Sequence, residues 1–178
     1  MSTIKVLDKE FEPYLSEQVI QEKITELAEQ LNKEYAGKKP IFLSILNGSF
    51  LFTADLFKQI TIEAEVCFIK LASYKGTTSS GNVITAIGLD ANVNGRDIII
   101  IEDIIDTGKT LHHFLPQLES SQPASIKIAV LLNKTEALAY PVKVDYACFD
   151  IPNKFVVGYG LDYDGLGRNS KAIYQLSN

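Results

Sequence analysis

"IIIIEDIIDTGKT", residues 98–110, decides the fold. Ile98 to Ile101 are four consecutive β-branched apolar residues, too short a run for a buried helix and suited to a strand covered on both faces. The strand expected over 96–103 then empties into Glu102 and Asp103, with Asp106 close behind. Ionised carboxylates accept hydrogen bonds in pairs, which is what a sugar diol offers. The turn "DTGKT" (106–110) leads into a helix start. Backbone N–H groups there, with the Thr107 and Thr110 hydroxyls, form a pocket for a phosphate. Acids and an amide-lined turn side by side describe a site for a phosphorylated sugar. A capped helix with solvated acids is the plainer alternative that this segment leaves open. A Walker-type loop is excluded, because the earlier glycine of GxxxxGK[ST] is missing before Gly108-Lys109-Thr110.

Working outward, apolar residues at Ile20, Ile24, Leu27, Ala28, Leu31 and Tyr35 predict a helix over 17–35, stopped by Gly37 and Pro40. "PIFLSIL" (40–46) predicts a buried strand, and "FLFTADLFKQI" (50–60) a second helix. Further strands are expected at 62–73, 83–89, 125–134, 144–151 and 154–161, and a helix over 108–120 that Pro116 kinks or shortens. "YKGTTSSGN" (74–82) reads as a mobile loop. Strands alternating with helices indicate an α/β domain with a mostly parallel central sheet flanked by helices. The turn-linked strand pair within 62–95 points to one antiparallel edge. In such sheets ligands bind beyond the carboxyl ends of the strands. That places Asn47-Gly48-Ser49, Glu102-Asp103, Asp106 to Thr110, Lys134 and Asp162 on one rim.

The 178 residues fit a single domain, 1–178, with a real core. A net charge of −5 without Lys/Arg runs disfavours nucleic acid and anionic membrane as partners. No apolar run is long enough to span a bilayer, and the charged N-terminus lacks a signal-peptide pattern. Cys67 and Cys148 lack metal-ligand spacing and a nearby activating histidine, so they read as buried reduced thiols of a cytoplasmic protein. His112 and His113 have no partners at ligand spacing and read as surface or packing residues.

Residues 98–110 closely resemble the 5-phosphoribosyl 1-diphosphate (PRPP) signature of type I phosphoribosyltransferases. "LNGSF" (46–50), "SYKGTTSSG" (73–81), "LLNK" (131–134) and "KFVVGYGLDY" (154–163) follow the order and approximate spacing of the hypoxanthine/guanine members. The resemblance runs from Leu43 to Arg168. It implies the type I fold, with a small hood built from the chain termini, and transfer of the 5-phosphoribosyl group of PRPP to N9 of hypoxanthine or guanine. IMP or GMP and pyrophosphate would result. It also implies magnesium as cofactor and a homodimer or homotetramer.

Carried onto this sequence, the resemblance makes Glu102 and Asp103 the binders of the ribose hydroxyls and of the magnesium around them, and Asp162 the acid of a second magnesium site. Asp106 becomes the general acid/base near purine N7, and Asp106 to Thr110 (with Thr107, Gly108 and Lys109) the 5′-phosphate cradle. Lys134 becomes the donor to O6, which would reject adenine. Ile104 and Phe155 would face the purine rings, Val156 would read the base edge through its backbone, and Asp162 would lie beside the base. Without the resemblance Phe155 reads equally as a core aromatic, and Lys134 as solvated. Leu46, Asn47, Gly48 and Arg168 match the pyrophosphate site, where the bond after the leucine is commonly cis. Many relatives carry Lys in place of Asn47. Ser73 and Tyr74 open the loop that would close over the reacting centre. "DYDGLGR" (162–168) has Gly165 and Gly167 where an acid and an aromatic are more usual, so extra flexibility is expected there. The competing reading is a PRPP-binding regulator of the same fold without catalysis.

Overall fold

The computed structural model describes residues 2–74 and 83–177. The expected loop therefore lies, from residue 75, outside the described residues. The chain opens with a hairpin of β1 (Ile4–Val6) and β2 (Lys9–Leu15), to which the sequence pattern assigned no strand. α1 (Glu17–Glu34) is capped by Ser16, whose Oγ accepts the Val19 N–H at 3.3 Å. Its predicted stripe of Ile20, Ile24, Leu27, Ala28 and Leu31 is buried. β3 (Ile41–Leu46), α2 (Phe50–Phe57), β4 (Glu65–Tyr74), β5 (Val83–Ile87) and β6 (Asp97–Ile105) follow. α3 (Lys109–Glu119), β7 (Ser125–Asn133), β8 (Tyr146–Asp150), β9 (Val156–Val157) and β10 (Ile173–Leu176) complete the order. α3 runs through Pro116 to its expected end.

The main sheet has the order β5-β4-β3-β6-β7-β8. All neighbours are parallel except β5, which pairs antiparallel with β4 at one edge, as the strand-pair pattern predicted. Alternation along β6 sends Ile99 and Ile101 to the face covered by α1 and α2. Ile98 and Ile100 go to the other, under Leu111, Phe114 and Leu118 of α3. From β3 the chain leaves through α2 toward β4; from β6 it leaves through α3 toward β7 on the opposite side. The strand order therefore reverses between β3 and β6, and a crevice opens there at their carboxyl ends.

Two expectations need correcting. β6 does not stop at Asp103: it continues to Ile105, paired with β7 at Ile104↔Leu132 and Ile105↔Asn133. Its pairing with β3 ends at Ser44↔Ile101, so Glu102 onward lines the crevice while still held by β7. The run 154–161 is not one strand either. Only Val156–Val157 is extended, because Gly158, Tyr159 and Gly160 lie at φ 99°, 50° and 97° and turn the chain.

β9 belongs to a second antiparallel sheet of order β1-β2-β10-β9. This is the hood implied by the resemblance, built from both ends of the chain. It is fastened to the main body because Val156, Tyr159, Leu161 and Ile173 bury into the same core as Phe42 and Ile99. Among the described residues no helix is long and apolar enough to cross a membrane. Cys67 is buried and Cys148 half-buried, both as free thiols. Burial pushes Cys148 up to about 12, the behaviour of an inert thiol.

Candidate active site

The crevice is bounded on the β3 side by Leu46-Asn47-Gly48-Ser49. Ser44 Oγ lies 2.8 Å from Ser49 Oγ and 2.7 Å from Thr53 Oγ1, all three fully or almost fully buried. This hydroxyl chain ties the loop to β3 and to the first turn of α2. The Leu46–Asn47 peptide is cis. Gly48 lies so close to the Asp103 carboxylate that a Cβ at residue 48 would overlap it. The loop and the acids of β6 are thus in direct contact.

On the β6 side, Glu102 Oε2 is buried without a hydrogen-bond partner among the described residues. Burial pushes the Glu102 carboxyl well above the usual range, and the charge of Asp103 adds to it. Burial also raises Asp103, to about 6, although the Ile104 N–H, the residue's own N–H and Arg168 pull it back. Two adjacent carboxylates lifted in this way are poised for a cation. Among the described residues no three His, Cys, Asp or Glu side chains converge into a metal cage. Magnesium needs none, since one or two carboxylates with water and substrate phosphates complete its shell. The donor set fits magnesium on those terms.

Beyond β6, residues 106–110 form the predicted turn, and with Glu102, Ile104, Ile105 and Leu111 they line a cleft of about 110 Å³. Gly108, at φ 76°, caps α3 and packs under Leu138, the Tyr140 carbonyl and Val142, where a Cβ would collide. The Thr107 carbonyl accepts N–H groups from Ala139 and Tyr140 at 3.1 and 3.0 Å. The first amide of α3, Lys109 N–H, donates to Thr107 Oγ1 at 3.4 Å, and a helix start of this kind favours an anion. His112 and His113 pack on Tyr140, with centroids 5.4 and 5.7 Å apart, the packing role expected of them.

Lys134 is 5% exposed, so the solvated alternative for it fails. Its Nζ donates to Asp106 Oδ2 at 3.1 Å and to Asn153 Oδ1 at 3.3 Å. Its own N–H holds the Ile105 carbonyl at 2.9 Å, so β6 and β7 deliver acid and base side by side. Phe155 is 42% exposed and stands edge-on to Tyr163 at 5.8 Å, so it is not a core aromatic. Its carbonyl accepts the Leu176 N–H, and alternation turns the polar groups of Val156 to the free edge of β9.

The fourth wall comes from the hood. Arg168 pairs with Asp162 at 2.7 Å and donates to the Gly160 carbonyl at 2.6 Å. Gly160 in turn rests against the Gly48 carbonyl, with no space for a side chain. In "DYDGLGR" the glycines close two turns, at φ 83° and 91°, and Asp162 Oδ2 accepts the Gly165 N–H at 2.6 Å. An acid or aromatic would be strained at those angles. Ser73 and Tyr74 end β4, paired with Ile84 and Val83; the loop they open lies outside the described residues.

A family model described as phosphoribosyl transferase domain matches residues 12–164. The chain belongs to the phosphoribosyltransferase family. It is 50% identical over 167 residues to a hypoxanthine-guanine phosphoribosyltransferase of Lactococcus lactis, covering 93% of this chain and 91% of the relative. It is 43% identical over 166 residues to one from Streptococcus thermophilus, covering 92% of each. A hypoxanthine phosphoribosyltransferase structure from Staphylococcus aureus superposes with a TM-score of 0.87 at 38% identity, covering 93% of this chain and 91% of that one. A hypoxanthine-guanine phosphoribosyltransferase of Bacillus anthracis gives a TM-score of 0.85 at 34% identity, over 93% and 97%.

Within this phosphoribosyltransferase fold, sequence reasoning missed Asn153 and Gly160. Asn153 sits in "IPNKF", a turn with no periodic signal. The glycines at 158 and 160 did signal close backbone approach, but the surrounding apolar run hid it.

Proposed function

We propose that this chain transfers the 5-phosphoribosyl group of PRPP to N9 of a 6-oxopurine, hypoxanthine foremost and guanine with it. The observation that carries the purine half is the Lys134–Asp106 pair at 3.1 Å. A 6-oxopurine presents O6 and N7 on one edge, close enough to be read together. Lys134 donates to O6 while Asp106 takes the N7 proton. N9 then forms its bond to C1′ as the C1′–O bond to pyrophosphate breaks. Ile104 and Phe155 face the rings, the Val156 backbone reads the edge, and Asp162 lies beside them.

Glu102 and Asp103 bind the ribose hydroxyls, and residues 106–110 hold the 5′-phosphate. Leu46, Asn47, Gly48 and Arg168 receive the pyrophosphate, and Ser73-Tyr74 begin the closing loop. Glu102 and Asp103 would hold one magnesium and Asp162 a second, and their charge would offset that of the departing pyrophosphate. Positioning and exclusion of water by this chain's residues supply the rest, since the reacting sugar carries cationic character that free water would intercept.

The shared core of hood and sheet supports a single working domain over 1–178, and the free thiols suit the cytoplasm. Phe50, Val66 and Phe68, 38%, 38% and 43% exposed, are apolar surface that supports a homodimer or homotetramer. Light scattering checks this, and a monomer at micromolar concentration refutes it.

The decisive experiment is an absorbance assay with PRPP, magnesium and each of hypoxanthine, guanine, xanthine, adenine and uracil. Turnover with hypoxanthine and none with adenine is expected. PRPP binding without turnover on any base would make the chain a regulator instead.

A further inference from the structure

Asp55, on α2, is met by donors from three elements. The Tyr159 hydroxyl donates to Oδ2 at 2.6 Å, Gln21 Nε2 of α1 to Oδ2 at 2.7 Å, and Lys58 Nζ to Oδ1 at 2.7 Å. Gln21 Nε2 also reaches the Tyr159 hydroxyl at 3.4 Å. Tyr159 is 3% exposed and lies at φ 50°, a region that non-glycine residues occupy only when their surroundings hold them there. Its backbone N–H donates to the Ser170 carbonyl at 2.9 Å. The next residue is Gly160, which touches the Gly48 carbonyl and exchanges hydrogen bonds with Arg168 through its N–H (2.9 Å) and its carbonyl (2.6 Å). Tyr159 is therefore fastened by its hydroxyl to α2 and by its backbone to the segment that carries Arg168. The start of α2 is itself fixed to the loop before it by the Ser49–Ser44–Thr53 hydroxyl chain.

We propose that Tyr159 and Asp55, braced by Gln21, are positioning residues that set the gap between the Gly48 loop and Arg168. The inference rests on the reading of those two elements as the pyrophosphate site. A diphosphate held between a loop and an arginine on different sheets is sensitive to their separation, and a displacement of about 1 Å can cost on the order of a hundredfold in rate. The core burial of the Tyr159 ring supplies stability on its own. The hydroxyl supplies direction, because a hydrogen bond to a carboxylate is short and aligned. Removing the hydroxyl alone leaves Asp55 paired with Lys58 and Gln21, so no buried charge is stranded.

The test compares native protein with Tyr159→Phe, Asp55→Asn and Asp55→Leu. It measures pyrophosphate and PRPP affinity by calorimetry with magnesium, KM for each substrate, and Tm. Tyr159→Phe should weaken pyrophosphate and PRPP binding about tenfold, the loss expected for one hydrogen bond to a charged acceptor. The purine KM should stay within about twofold and Tm within a few degrees. Asp55→Asn keeps an acceptor for the phenol and should recover most of the affinity, whereas Asp55→Leu should not. Unchanged pyrophosphate affinity in Tyr159→Phe overturns the inference, as does an equal loss in every constant together with a lowered Tm. Native protein that binds neither PRPP nor pyrophosphate would instead overturn the site assignment, a separate result visible before any variant is made.

Discussion

Lys134 Nζ stands 3.1 Å from Asp106 Oδ2, with 6% of the lysine side chain but 49% of the aspartate's exposed. A buried cation is thus held at the wall of the crevice by an acid that itself faces the substrate space. The two residues do different work, and substitution should separate them. Lys134→Ala removes an O6 donor and leaves Asp106 free to be solvated. The purine KM should rise about 10–100-fold, and PRPP affinity should stay within about twofold. Asp106→Asn keeps the shape and loses the base, and kcat should fall roughly 10²–10⁴-fold. Steady-state kinetics with each substrate varied checks both. A PRPP defect in Lys134→Ala would put that residue on the wrong side of the site.

Burial raises Asp103 from 3.8 to about 6, which makes the metal-free fold pH-sensitive. Between those values the folded protein binds more protons at residue 103 than the unfolded chain does. Its contribution is therefore fully present below 3.8 and is lost as pH rises through about 6. Asp103→Asn escapes that loss. Near pH 4 the variant and the native protein should melt together. By pH 7 the variant should be more stable, by about 3 kcal/mol or roughly 6–12 °C, while losing activity. Melting curves in chelator across that range decide it; a constant difference would mean that Asp103 does not titrate there. Added magnesium should stabilise the native protein and not the variant.

The α/β class, the antiparallel edge and the helix stripe were legible because each rests on a local period: 3.6 for α1, a continuous apolar run for β3 and β6. The acids of β6 and the turn that follows them were legible as neighbours because they are contiguous, residues 102 to 110. The hood was not legible as strands. β2 (KEFEPYL) has too little alternation to stand out, and its partner β10 lies more than 150 residues away. The side-chain contacts behind the crevice escaped for the same reason. Tyr159 meets Asp55 across 104 positions, and Lys134 meets Asn153 in an irregular turn. Lys127 reaches Asp145 at 3.0 Å across 18 positions. Long-range side-chain partners leave no periodic trace in a single sequence.

Gly48 offers a test of close approach free of backbone strain, because its φ is not in the left-handed region. A methyl group there has to displace the Asp103 carboxylate. Gly48→Ala should therefore lower kcat/KM for PRPP by roughly a hundredfold or more, with a much smaller change in the purine KM. Gly37→Ala is the control, since its Cβ would meet nothing within 4 Å although its φ is 76°. That variant should lose stability and keep its kinetics. Matching kinetic losses in the two would remove the claim that contact between loop and acid matters.

Phe155 separates stacking on a base from packing in a core. Its ring is 42% exposed, lies 6.0 Å from Phe11 and meets Tyr163 edge-on. Truncating a buried phenylalanine costs about 3–5 kcal/mol of stability, and an exposed one far less. Stacking of a base on an aromatic side chain contributes about 1–3 kcal/mol. Phe155→Ala should therefore raise the purine Kd roughly 5–150-fold while Tm falls by only a few degrees. Phe155→Leu, which keeps apolar area but not the π face, should fall between. Calorimetry of the purine against the protein loaded with magnesium pyrophosphate, which cannot react with it, beside a melt of each variant, gives both numbers. A large drop in Tm with unchanged purine affinity would return Phe155 to the hood's own packing and leave the second face of the base without a partner.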